Sequence, residues 1–249
     1  MKAAFISDIH ANATALQLVL DDIAAGGSIE KIYCLGDIVG FHTAPVECIE
    51  LVRNNGIECL GGNHDAGVAG KLGENKFPRE CWEAIEWTRA KLNSSQLRFL
   101  EGLPFQMMIA RQFRLMHGMF ENVTTYLVGT MKLRYVAART SIDRFPLAFY
   151  GHTHAPRCYQ FMNGLLGYPM IEHPHDSVVP LRTQSTYLVN PGSIGQPRTA
   201  DHSARYCVFD TVLREVTFKR IRYDYNNVLA QTLSVFPGHE AMYQRFAAS

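Results

Sequence analysis

Apolar residues along this chain follow two rhythms, and the rhythm changes near Pro104. Before that point short apolar runs alternate with stretches whose apolar positions recur every three or four residues. AAFIS reads as a strand, ATALQLVLDDIAA as an amphipathic helix and KIYCLGD as a second strand. APVECIELVRNNG is a helix with Pro45 near its first turn and Gly56 just past its end, the asymmetry expected of helix termini. IECLGGN completes a βαβαβ pattern, which implies a largely parallel sheet covered by helices. Two further helices are expected, over roughly 78–92 and around SQLRFLEGL.

After Pro104 strand-like runs dominate: FQMMIA, RQFRLMHG, LAFYGH, PRCYQFM, STYLVNPG, ARYCVFD and EVTFKRIRY. One clear helix, about MKLRYVAA, interrupts them, and a tail helix near NNVLAQTL follows. No internal repeat, low-complexity segment or linker divides the chain, so residues 1–249 are expected to form one domain. The expected architecture is α/β: a four-layer αββα sandwich, with two mostly parallel or mixed sheets face to face and helices outside. An insertion at about 155–185 reads as a surface hairpin, forming a substrate rim or a dimer contact.

Composition narrows the function classes. Hydrophobic residues make up 47% and charged residues 19%, which describes a globular chain with ample core. A net charge of +1 provides no bulk field for nucleic acid or an anionic membrane, so neither is expected as a partner. The N-terminus lacks the apolar region and cleavage site of a secretory signal, and no apolar run reaches transmembrane length. The six cysteines are scattered without a CxxC pair, which fits reduced, buried thiols and a cytoplasmic location.

The chemistry-bearing residues gather at predicted strand ends: Asp8 and His10, Asp37, Asn63, His117, and the pair His152 and His154. In α/β sheets, ligands bind outside the carboxyl ends of strands. Alternation along a strand would point positions i and i+2 together, which gives Asp8-x-His10 and His152-x-His154 a common direction. Taken singly, each has an ordinary structural reading, such as a turn aspartate or a satisfied core histidine. Jointly, with four of the ten histidines among them, they converge naturally on one site.

In order the pieces are S-Asp8-I-His10, G-Asp37, GG-Asn63-His64-Asp65, His117-G and G-His152-T-His154. This series resembles the calcineurin-like metallophosphoesterase superfamily, whose signature runs DxH, GD, GNH[DE], H, GHxH. LGDIVG, ECIELVR and NPGSIGQPR look similar to the small bacterial and archaeal phosphodiesterase-type members. The resemblance implies that Asp8, His10 and His154 hold one divalent ion and that Asn63, His117 and His152 hold a second. It makes Asp37 the bridge, because one carboxylate has two oxygens to share. Two transition-metal ions are implied, manganese first, with iron, zinc, nickel or cobalt as alternatives. Two such ions, about 3.5–4 Å apart, activate a hydroxide and clamp the oxygens of a phosphoryl displacement.

His64 is implied to stand beside the phosphate, stabilising it or protonating the leaving alkoxide, as suits an imidazole near its working pH. Asp65 either orients His64 or forms a structural pair. Arg198 is a candidate clamp for a phosphate oxygen, with an ion pair to Asp201 as the alternative. His42, in a loop that departs from the family pattern, is a candidate substrate contact, with an exposed loop histidine as the alternative. His173, His175 and Asp176 imitate a second metal cluster, but the prolines around them and the absence of a partner motif argue against one. The expected function is dinuclear-metal-dependent hydrolysis of small phosphodiesters, with monoesters as a variant. Dinucleoside polyphosphate hydrolysis, phosphoprotein dephosphorylation and a non-catalytic scaffold are the competing readings. The sequence leaves oligomeric state open.

Overall fold

The computed structural model describes residues 1–110, 112–120, 122–143, 146–162, 171–173, 177–198, 201–240 and 243. β1 (Lys2–Ile6), α1 (Ala13–Ala25), β2 (Lys31–Cys34), α2 (Pro45–Asn54) and β3 (Glu58–Cys59) form the expected alternating unit. α3 (Asn63–Val68), α4 (Arg79–Lys91) and α5 (Ser94–Glu101) follow. β4 (Gln106–Ile109), β5 (Phe113–Met116), α6 (Thr130–Ser141), β6 (Leu147–Tyr150) and β7 (Arg157–Met162) come next. The chain continues with β8 (Ile171–His173), β9 (Val178–Pro180), β10 (Ser185–Asn190), β11 (Ala204–Asp210), β12 (Glu215–Ile221) and α7 (Tyr225–Val235).

Among the described residues, twelve strands make two six-stranded sheets, ordered β3-β2-β1-β11-β12-β9 and β4-β5-β6-β10-β7-β8. Both are mixed. β1, β2 and β3 are mutually parallel in the first, as are β5, β6 and β10 in the second, and the remaining pairings are antiparallel.

Side-chain alternation along single strands builds the layers. Ala4 and Ile6 of β1 face Leu16, Val19, Ile49 and Val52 of the helices over the first sheet. Ala3 and Phe5, on the opposite face, enter a core shared with Phe113, Phe149, Tyr187 and Phe209. There the rings of Phe5 and Phe149 stack with centroids 3.6 Å apart, and Phe113 meets both edge-on. Burying each such ring contributes about 1.5–3 kcal/mol. On the outer face of the second sheet, Ala148, Tyr150 and Leu188 pack against Leu133 and Val136 of α6. Helix, sheet, sheet and helix are thus stacked in four layers.

The segment 155–185 departs from a simple surface hairpin. β7 and β8 pair antiparallel at one edge of the second sheet, whereas β9 pairs with β12 and extends the first. This stretch is therefore woven into both sheets. His173 ends β8, while His175 and Asp176 lie outside the described residues.

Candidate metal centre

The parallel strands of both sheets send their carboxyl ends to one place. Asp8 and Asp37 follow β1 and β2, Asn63 opens α3 after β3, His117 directly follows β5, and His152 and His154 follow β6. Strand alternation is not what aims the paired ligands, because both pairs lie beyond their strands. Asp8, His10, Asp37, His152 and His154 all adopt left-handed backbone, with φ between 50° and 65°. Such conformations are unfavourable for residues other than glycine and persist where the surroundings enforce them. The local backbone is bent so that these side chains converge.

Glycines make that convergence possible. A Cβ at Gly62 would collide with the carboxylate and backbone of Asp37, so the GNH and GD turns pack backbone against backbone. A Cβ at Gly36, where φ is 103°, would likewise collide with the Gly62 backbone and the His117 ring.

Two groups of potential donor atoms result, each within 4.8 Å of one another: Asp8, His10, Asp37 and His154, and Asp37, His117 and His152. Asn63 joins the second, its Oδ1 lying 3.1 Å from His117 Nε2. Asp37 is common to both, its Oδ2 3.7 Å from His10 Nε2 and 3.3 Å from His117 Nε2. All seven residues are buried. His152 Nε2 is buried without a hydrogen-bond partner among the described residues. Buried polar atoms ordinarily have partners. Nitrogen and oxygen donors without thiolate, converging from all sides, fit divalent cations of the Mn, Fe or Zn type.

Backbone carbonyls set the imidazoles. His117 Nδ1 lies 2.8 Å from the Leu35 carbonyl and His154 Nδ1 2.7 Å from that of Gln196. A proton on each Nδ1 directs the Nε2 lone pair into the centre. The loop carrying Gln196 is braced in turn: Ser193 Oγ donates to the Asp8 carbonyl, and the amides of Ile194 and Gly195 donate to the carbonyls of Ser7 and Asp8. Asn190 Nδ2 donates to the Gly151 carbonyl, tying this loop to the His152 turn.

Electrostatics match a site built for cations. Burial opposes ionisation of Asp37, yet the imidazoles of His117, His64 and His10 overcome it and hold the carboxyl well below its usual range. Asp8 is likewise lowered against burial, chiefly by His154. Burial pushes His10 well below the usual imidazole range and His152 down to about 3, keeping both neutral. His117 behaves oppositely. Burial disfavours its charge, but the adjacent Asp37 carboxylate raises it to about 9. Without a cation, a proton on His117 balances Asp37.

The remaining candidates separate. His64 sits at the centre's edge, 5% exposed, its ring 4.6 Å from that of Phe41 and 5.7 Å from that of Phe77. Its Nδ1 has no partner among the described residues. Burial lowers it to about 4. Asp65 does not bond the His64 ring: its carboxylate accepts from the amides of Ile38, Val39 and Gly62. It therefore braces the turns that carry Asp37 and Asn63. Burial and the neighbouring Asp37 push Asp65 up to about 7.

His42 does not reach the substrate side. It is 1% exposed, with Nδ1 2.8 Å from Thr232 Oγ1 on α7 and Nε2 3.0 Å from the Gly195 carbonyl. Both nitrogens tie its loop to the protein, so its expected substrate contact is withdrawn. Arg198 stands beside Tyr126, its Nη2 3.4 Å from the phenol oxygen, and Asp201 pairs with Arg205 and Arg220. Two residues escaped the sequence reading. Phe41, at φ 61°, packs on both His10 and His64, and Tyr126 stacks on His152. Neither occupies a motif or a periodic position that would have flagged it.

No helix among the described residues is long and apolar enough to cross a membrane. Residues 1–213 match the calcineurin-like phosphoesterase superfamily domain. An uncharacterized protein of Methanocaldococcus jannaschii is 36% identical over 224 residues, 89% of this chain and 87% of that one. The crystal structure of a metallophosphoesterase from Sphaerobacter thermophilus is similar throughout: TM-score 0.81, 34% identity, covering 100% of this chain and 98% of that one. A hypothetical protein from Pyrococcus horikoshii shares the fold, with a TM-score of 0.76 at 20% identity and coverage of 98% and 97%. The chain belongs to the calcineurin-like phosphoesterase superfamily, a family of metal-dependent hydrolases of phosphoester bonds.

Proposed function

We propose that this protein is a dinuclear phosphodiesterase acting on small diesters. The observation that carries the reading is Asp37, a single carboxylate shared by two groups of buried donors. Asp8, His10 and His154 would hold one divalent ion, Asn63, His117 and His152 the other, and Asp37 both. Bound cations of this kind supply an activated water for in-line attack on phosphorus and neutralise the non-bridging phosphate oxygens.

The chain's own residues supply the rest. His64, kept neutral by burial in the free protein, gains a proton when an anionic phosphate binds beside it and delivers that proton to the departing alkoxide, and its aromatic surroundings limit access of bulk water. Asp65 keeps the Asp37 and Asn63 turns in register through backbone amides. Arg198 grips a phosphate oxygen at the rim. All six cysteines are free and buried, which supports a cytoplasmic setting.

A panel of diesters and monoesters with Mn²⁺-loaded protein tests the reading. Hydrolysis of bis-p-nitrophenyl phosphate faster than of p-nitrophenyl phosphate is the expected result. The reverse order would make it a monoesterase. No turnover with both ions bound would favour the scaffold.

A further inference from the structure

Tyr126 is placed where a purely structural tyrosine has little reason to be. Its ring lies parallel to the imidazole of His152, centroids 3.9 Å apart at 18°, yet the residue is 40% exposed. The loop bearing it is anchored by neighbours that are buried: Phe120, Val123 and Leu127 are each 4% exposed or less. Leu127 belongs to the core under α6. Lys132 Nζ donates to the Tyr126 carbonyl from the first turn of that helix. The loop thus holds one aromatic ring out of the core and over the edge of the candidate metal centre.

Arg198 lies against the Tyr126 ring. Its guanidinium carbon lies 5.5 Å from the Tyr126 ring centre, with Nη2 at the phenol oxygen. A partly exposed phenol ring with a guanidinium beside its hydroxyl offers π and cationic surface against which a planar aromatic group stacks. A short alkyl group gains little from such a surface.

We propose that Tyr126, flanked by Arg198, is a stacking platform that selects phosphoesters bearing a planar aromatic group, such as a nucleobase or an aryl ring. The proposal rests on the phosphoesterase reading of the adjoining centre. It makes Tyr126 a specificity residue, with no part in holding the cations.

Calorimetric binding of three probes to Mn²⁺-loaded protein tests it: thymidine 5′-monophosphate, phenyl phosphate and methyl phosphate. Stacking on an aromatic side chain gives an expected preference of about 10-fold for an aromatic probe over methyl phosphate. Tyr126→Phe keeps this preference. Tyr126→Ala loses it while retaining methyl phosphate affinity and metal content, and Tyr126→Leu does the same if the alanine variant folds poorly. The phenyl arm distinguishes the aromatic sources: equal gains for both probes indicate any aryl ring, and a gain for the nucleotide alone indicates a nucleobase. No preference in the unaltered protein overturns the proposal. So does uniform weakening of all three probes, or loss of metal, in Tyr126→Ala, since Tyr126 would then merely support His152. A preserved preference without any diester turnover would support the platform and overturn the phosphodiesterase reading.

Discussion

The imidazoles of His10 and His154 meet nitrogen to nitrogen, Nε2 to Nε2, at 3.1 Å. The Gln196 carbonyl fixes the proton of His154 on Nδ1, so its Nε2 presents a lone pair to His10. Asp8 Oδ1 lies 3.3 Å from the same His154 nitrogen. Facing donors of this kind are satisfied together by a shared cation, and that requirement organises the predictions below.

Asp37 and Asp8 are expected to fail differently. Asp37→Asn removes charge from both donor groups, whereas Asp8→Asn weakens one. Metal analysis after reconstitution should show near-complete loss of both ions for Asp37→Asn and retention of about one for Asp8→Asn. Equal, small losses in the two variants would contradict the bridging role.

The raised pKa of His117 gives metal binding a pH dependence. Its folded value of about 9 lies above the ordinary imidazole value of ~6.5. The stabilisation from its proton is therefore fully present below ~6.5 and is lost as pH rises through about 9. A cation must displace that proton, so affinity should climb across this window. Titration with Mn²⁺ at pH 7.5 in buffers of different ionisation enthalpy should reveal release of about one proton. Heats independent of buffer would contradict the assignment.

His64 can be tested by leaving group. A p-nitrophenolate departs without a proton, so His64→Ala should show only a modest defect on bis-p-nitrophenyl phosphate. Alkyl diesters should slow by the ~10²–10⁴-fold that general acid catalysis supplies. Metal content should be unchanged. A uniform loss across both substrates would assign His64 to phosphate binding instead.

His42 is expected to matter for stability alone. Its two ring nitrogens engage Thr232 and the Gly195 carbonyl, and truncation leaves these buried groups without it. Loss of stability by roughly 1–3 kcal/mol is expected for His42→Ala in denaturant melts, with KM unchanged. A raised KM at unaltered stability would restore the substrate contact that the sequence suggested.

These residues also show how far the sequence could be read. The first βαβαβ unit was legible because its periodicities are clean, and α1 spans the stretch that was read as a helix. The five-part motif pointed to the residues that the fold gathers. Their direction was not legible. Alternation suggested a common face for Asp8 and His10, but left-handed backbone beyond the strand provides it. α3 was invisible because NHDAGV lacks an apolar period, and β9 joined the first sheet through a pairing made across 35 or more residues of chain. His42 looked like a loop histidine because its partners come from Thr232 and Gly195, far along the chain. Tyr126 acquires its place only when β5, β6 and the loop before α6 come together.

The most direct test of the central claim is anomalous scattering from crystals of the Mn²⁺-reconstituted protein. Two peaks are predicted per chain, one enclosed by Asp8, His10, Asp37 and His154, the other by Asp37, Asn63, His117 and His152. An empty centre, or a peak that Asp37 does not touch, would contradict the account.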